Sequence, residues 1–167
     1  MKLFTGIAFD EPQRAELTRA ISLVRPLVDA KWELPQKAHL TLVFLGEADR
    51  AETEARMKDV ASRHPAFDVR LKGSGHFDDR VLWLGVEAPL TALHAELERV
   101  LEKPNNYGGY SPHVTVARAK RAQRGLFAGA VKALAGFEAP PMRVDRITLF
   151  ESRDGQYFEL AHGQLKP

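Results

Sequence analysis

Two short stretches of the sequence repeat one pattern of reactive side chains: His39-Leu40-Thr41-Leu42 and His113-Val114-Thr115-Val116. In an extended strand, residues two apart project to the same face. His39 therefore stands beside Thr41, and His113 beside Thr115, each pair about 6.6 Å apart along its strand. Leu40, Leu42, Val114 and Val116 point the other way and anchor each polar pair to an apolar core. An imidazole has an ordinary pKa of about 6.5 and can give or take a proton near neutrality. Two of them flanking one phosphorus supply what phosphodiester hydrolysis needs, a base for the attacking water and an acid for the departing oxygen. The threonine hydroxyls can donate to the non-bridging oxygens, where charge must be held. The chain has six histidines, and random order would give about 0.25 copies of His-x-Thr, so two copies with aliphatic residues at every x position carry a signal.

Competing chemistries find less support. No Asp, Glu or third His sits at ligand spacing in either motif, so neither a metal nor any other cofactor is expected. The sequence contains no cysteine, which removes disulfides, thiolate metal sites and a cysteine nucleophile, and no Gly-x-Ser-x-Gly elbow occurs. His64 before Pro65, His94 within a helical stripe and His162 in the tail read as structural or solvated. His76 lies in a stretch rich in turn residues and reads as a turn histidine. Tyr107 and Tyr110 flank two glycines in a loop, where their rings either stack on an unpaired base or simply pack the loop. Arg118, Lys120, Arg121 and Arg124 form a basic run that can follow a nucleic-acid backbone or stay solvated. Trp83 fits strand core.

These residues need strands to hold them. Residues 2–9 read as a strand with both faces largely buried. Asp10 suits an N-cap and Pro12 a first turn, and Leu17, Ile21, Val24 and Val28 mark an amphipathic helix that Pro26 should kink or stop. The first motif lies on a strand from Ala38 to Leu45 that closes on Gly46. Residues 48–62 read as a solvent-facing helix contributing little to the core. Strands Phe67 to Lys72 and Val81 to Val86 flank a turn over residues 73–79, as a hairpin would. A helix follows from Pro89 to Glu102, marked by Leu90, Leu93, Leu97, Val100 and Leu101. The second motif strand runs from Pro112 to Arg118, and a helical stretch surrounds Leu126, Ala130, Val131 and Leu134. Strands Arg143 to Glu151 and Gln156 to Leu160 close the chain around Asp154-Gly155. Hairpins beside crossover-length connections favour α+β with antiparallel sheet. The order strand, helix, motif strand, helix occurs twice, suggesting two related lobes.

With 167 residues, 44% hydrophobic and 28% charged, and a net charge of +2, the chain is expected to form a single two-lobed domain over residues 1–167. The slight positive balance permits a phosphate-bearing ligand without requiring one. The opening residues meet Asp10 and Pro12 before a signal-peptide core could form, and no apolar run approaches membrane length. A soluble, unprocessed cytoplasmic protein with no membrane attachment is the expectation.

The chain resembles the two-histidine phosphoesterases, specifically the bacterial and archaeal RNA 2′,3′-cyclic phosphodiesterases, also called 2′-5′ RNA ligases. The likeness runs through Leu3-Phe4-Thr5-Gly6-Ile7, His39-Leu40-Thr41-Leu42-Val43-Phe44-Leu45-Gly46, Gly73-Ser74-Gly75-His76-Phe77 and Leu82-Trp83-Leu84-Gly85-Val86. It continues in Ser111-Pro112-His113-Val114-Thr115-Val116-Ala117-Arg118 and a late strand ending near Ser152 before Tyr157. The resemblance implies a bilobal α+β fold, with two pseudo-symmetric lobes of antiparallel sheet and flanking helices and a cleft between them. It also implies that His39 is the acid toward the 3′ oxygen and His113 the base toward water, leaving a 2′-phosphate. Thr41, Thr115 and Arg118 carry over as phosphate contacts, although strand parity puts Arg118 opposite His113 and Thr115 unless the strand ends or twists there. The partner so implied is an RNA 3′ end bearing a 2′,3′-cyclic phosphate, handled by a monomer, with weak 2′-5′ ligation by reversal. The same four residues would also suit a small cyclic nucleotide or an ADP-ribose cyclic phosphate. A binder of phosphorylated RNA ends that turns nothing over is the alternative from another class.

Overall fold

The computed structural model describes residues 1–103 and 109–167. The first strand, β1 (Lys2–Ala8), is buried on both faces from Leu3 to Ile7. Asp10 caps the next element, its carboxylate accepting the Gln13 N–H, and α1 (Glu11–Val24) follows with Pro12 in its first turn. At Arg25–Leu27 the chain tightens into a 3₁₀ turn around Pro26, because proline cannot donate the next helical hydrogen bond. Val28 stays buried but lies beyond the helix.

A two-residue strand, β2 (Lys31–Trp32), precedes the first motif strand, β3 (His39–Glu47). Asp49 caps α2 (Arg50–Ala61), and the hairpin β4 (Phe67–Phe77) and β5 (Val81–Glu87) leads to α3 (Thr91–Val100). The second motif strand is β6 (His113–Arg118), followed by α4 (Ala128–Ala133), β7 (Met142–Val144), β8 (Arg146–Arg153) and β9 (Gln156–Gln164). The strands form two antiparallel sheets, one ordered β3-β1-β8-β9 and the other β2-β6-β5-β4-β7. The fold is thus α+β with flanking helices, and buried residues from both sheets join in one core cluster.

Four local expectations need correction. Residues 73–77 are strand, not turn: β4 continues through a bulge at Gly73 to Phe77. The reversal shrinks to Asp78-Asp79-Arg80, with Asp78 and Asp79 at positive φ, a conformation aspartate tolerates better than most residues with a side chain. The segment 143–151 is two strands, since the chain leaves the second sheet after Val144 and enters the first at Arg146. Although strongly charged, α2 contributes to the core, with Met57, Val60 and Ala61 fully buried. It crosses β9 so closely that a Cβ on Gly163 would lie 2.9 Å from that of Ala61. Trp83 is only half-buried and rests against Phe77 at 5.4 Å between rings, outside the core cluster.

The lobes do not divide the chain at its middle. Strands β8 and β9 from the C-terminal end complete the sheet begun by β1 and β3, while β2 crosses to pair with β6.

Candidate active site

The two motif strands occupy comparable places, β3 beside β1 in one sheet and β6 beside β5 in the other. His39, Thr41, His113, Thr115 and Arg118 all line one cleft of about 250 Å³. In both strands the histidine and threonine are partly exposed, while the residues after each are buried.

Both strands also break their alternation at the same position. Along β1 and β3, Gly6 pairs with Thr41 and Thr5 with Val43, so Leu42 is an extra residue. Along β5 and β6, Trp83 pairs with Thr115 and Leu82 with Ala117, so Val116 is extra. A bulge shifts the parity of everything beyond it. Two successive residues are therefore buried in each strand, Leu42-Val43 and Val116-Ala117. The next residue, Phe44 in one and Arg118 in the other, then returns to the cleft. Simple alternation puts Arg118 on the wrong face, and the bulge is the physical reason it joins His113 and Thr115. In the first lobe the Thr5 hydroxyl, fully buried, accepts the Val43 N–H at 3.2 Å. Beside it, Gly6 leaves room for β3, because a Cβ there would sit 2.7 Å from the Leu40 carbonyl oxygen.

Each imidazole is tethered by the backbone two residues before it. Nδ1 of His39 lies 3.0 Å from the Lys37 carbonyl oxygen, and Nδ1 of His113 lies 2.8 Å from that of Ser111. A carbonyl can only accept, so Nδ1 must carry the proton, and in the neutral ring Nε2 is left as the acceptor. Aromatic edges flank both rings: Tyr157 stands at 4.8 Å and 82° to His39, and Phe77 at 4.9 Å and 90° to His113. Phe4 packs under His39 from the core side. Burial pushes the His39 pKa below its ordinary value, against the opposing pull of the Lys37 carbonyl and the Glu33 carboxylate; Arg118 and His113 add to the lowering.

Several lining residues escape sequence reasoning. Glu33 follows β2, too short a strand to announce itself, and its Oε1 accepts from Arg118 Nε at 3.2 Å. Lys37 donates to the Gly155 carbonyl at 2.5 Å beside Tyr157. Phe44 and Phe77 complete the wall. The signal for Phe44 is the pair of consecutive apolar residues after each threonine, which interrupts strict alternation.

The remaining sequence candidates lie elsewhere. His76 sits on β4, where its Nδ1 accepts the Asp79 N–H at 3.0 Å, and it does not line the cleft. Tyr110 is a packing residue: its ring stacks on His94 at 3.8 Å and its hydroxyl donates to the Thr41 carbonyl at 2.8 Å. Burial pushes its phenol pKa up. Tyr107 lies outside the described residues. His64 pairs with Glu96 and His162 with Glu159. In the basic run, Lys120 is bound to Asp29 at 2.6 Å. Among the described residues no group of three or more His, Asp or Glu side chains is placed to hold a metal ion, and no helix is long and apolar enough to cross a membrane.

Comparison with known proteins agrees over most of the chain. Residues 11–156 match the family model of the 2′-5′ RNA ligase superfamily. An RNA 2′,3′-cyclic phosphodiesterase of Aquifex aeolicus is 33% identical, over 73% of this chain and 72% of that protein. One of Thermus thermophilus is also 33% identical, over 100% of this chain and 84% of that one. The crystal structure of TT0787, likewise of Thermus thermophilus, superposes with a TM-score of 0.80 at 27% identity, covering 99% of this chain and 98% of that chain.

Proposed function

The chain belongs to the 2′-5′ RNA ligase superfamily, and from that premise we propose that it is an RNA 2′,3′-cyclic phosphodiesterase, opening cyclic phosphate ends to 2′-phosphomonoesters by paired histidine chemistry without metal. The observation that carries this is the matched pair of imidazoles lining one cleft, each with its Nδ1 proton committed to a backbone carbonyl. Each Nε2 is then available for proton transfer.

His113 Nε2 takes a proton from water as the water oxygen attacks phosphorus. The bond from phosphorus to O3′ breaks, and His39, entering the step as imidazolium, gives its Nε2 proton to O3′. The products are a 2′-phosphate and a free 3′-hydroxyl, with His113 protonated and His39 neutral until solvent exchanges the protons. Thr41 and Thr115 donate to the non-bridging oxygens, and Arg118 holds the phosphate charge. His39 must first gain a proton that burial disfavours; an anionic phosphate beside it and the Glu33 carboxylate both favour that gain. A 5′-hydroxyl in place of water would form a 2′-5′ linkage by the same steps. The substrate is an RNA 3′ end, and the chain acts on it as a cytoplasmic monomer.

Phosphorus NMR of the product from a cyclic-phosphate-ended oligonucleotide tests the assignment of roles. A 2′-phosphomonoester is expected, and a 3′-phosphomonoester would reverse the direction of ring opening.

A further inference from the structure

Glu33 places a negative charge in a cleft otherwise suited to anions, where it favours a proton on His39 but repels the phosphate itself. Its backbone N–H donates to the Val116 carbonyl at 2.9 Å, docking it beside the bulge of β6. Its side chain, 26% exposed, binds Arg118 through Nε, one of the five N–H groups of the guanidinium. The charged groups lining the cleft are Lys37 and Arg118 against Glu33, with His39 and His113 able to add protons. Lys31 of β2, paired across from Arg118, shares its face but does not line the cleft.

Whichever imidazole holds a proton, the Glu33 carboxylate cancels one unit of the positive charge that Lys37 and Arg118 bring to the cleft. It repels a phosphomonoester, at about −1.5 to −2 near pH 7, more than a cyclic phosphodiester, a monoanion. We propose that Glu33 is a specificity determinant, tuning the cleft to the cyclic diester and weakening its hold on the phosphomonoester product. This rests on the phosphodiesterase function proposed above. A second phosphate charge near a carboxylate in a partly solvated cleft changes affinity by several-fold to about tenfold.

The test compares KM for a cyclic-phosphate-ended oligonucleotide with the affinity of the matching 2′-phosphate-ended oligonucleotide, measured by titration calorimetry. Wild type, Glu33→Gln and Glu33→Asp are compared. Glu33→Gln is expected to tighten product binding about five- to tenfold more than it lowers KM, with Glu33→Asp close to wild type. The extra product affinity should fade below about pH 6, where the monoester loses its second charge. Weaker binding of both ligands in Glu33→Gln would mean that Glu33 only positions Arg118. That result, equal tightening of both ligands, or unchanged product affinity would overturn the proposal. Product affinity needs no turnover, so a wild-type chain that opens no ring defeats the proposed function separately, while the effect of Glu33→Gln on monoester against cyclic diester binding still decides on Glu33.

Discussion

Phe44 and Arg118 hold the same place in the two motif strands, three residues beyond the threonine, and both reach the cleft because one residue is bulged out ahead of each. The paired chemistry of the histidines and threonines is thereby given unlike walls, an aromatic ring on one strand and a cation on the other. Both side chains are well exposed, Phe44 at 71% and the Arg118 side chain at 54%.

Arg118→Ala should therefore weaken substrate binding without unfolding the protein. Loss of a charge-assisted hydrogen bond of about 1.5–3 kcal/mol predicts a KM roughly 10- to 100-fold higher. Thermal unfolding should move little, because the pair with Glu33 is partly solvated. Steady-state kinetics and a melting curve on one preparation check both halves; an unchanged KM removes Arg118 from the site.

The first bulge depends on Thr5. Thr5→Val keeps the shape but leaves the Val43 N–H without its acceptor, a loss of about 1–3 kcal/mol in a buried setting. A lower melting temperature and a lower kcat are expected together, with Thr5→Ser close to wild type. Full stability in Thr5→Val would show that the hydroxyl does not hold the bulge.

His39 has a pH signature with a definite sign. Its folded pKa lies below the ordinary 6.5 because of burial, so the folded chain binds fewer protons there than the unfolded chain between the two values. Its contribution to stability is full above pH 6.5 and is lost as pH falls through the folded pKa. The His39 ring resonances should titrate below 6.5 in the free protein and move upward when a 2′-phosphorylated nucleotide binds. A free-protein midpoint at or above 6.5 contradicts this.

Tyr110 ties the second motif's loop to the first motif strand through the Thr41 carbonyl. Removing that hydroxyl in Tyr110→Phe should cost about 0.5–1.5 kcal/mol of stability, read from denaturant unfolding. No loss would mean that the stack on His94 alone seats the ring.

Residue types and spacing made the two His-Thr pairs legible, because period-two geometry follows from the backbone whatever the surroundings. Asp10 and Pro12 likewise marked the start of α1 through capping chemistry that is local. What alternation cannot carry is a register decided by a partner strand. The bulges at Leu42 and Val116 are set against β1 and β5, and the consecutive apolar residues after each threonine are their trace in the sequence. Strict alternation misplaces both Phe44 and Arg118, and resemblance alone pointed to Arg118. Two residues are too few for a periodic signal, which hid β2 and with it Glu33. The continuous strand pattern through residue 145 concealed the passage between sheets because both parts satisfy the same local preference. The length of β4 was obscured by Gly73 and Gly75, read as turn residues although the chain uses them within a strand.

Ring opening in excess chelator tests the central claim most directly. A cyclic-phosphate-ended oligonucleotide should be opened by the wild-type chain with chelator present, and His39→Ala and His113→Ala should each be slower by roughly 10²- to 10⁴-fold. No opening until metal is restored, or full activity in either variant, would contradict a metal-independent mechanism built on both histidines.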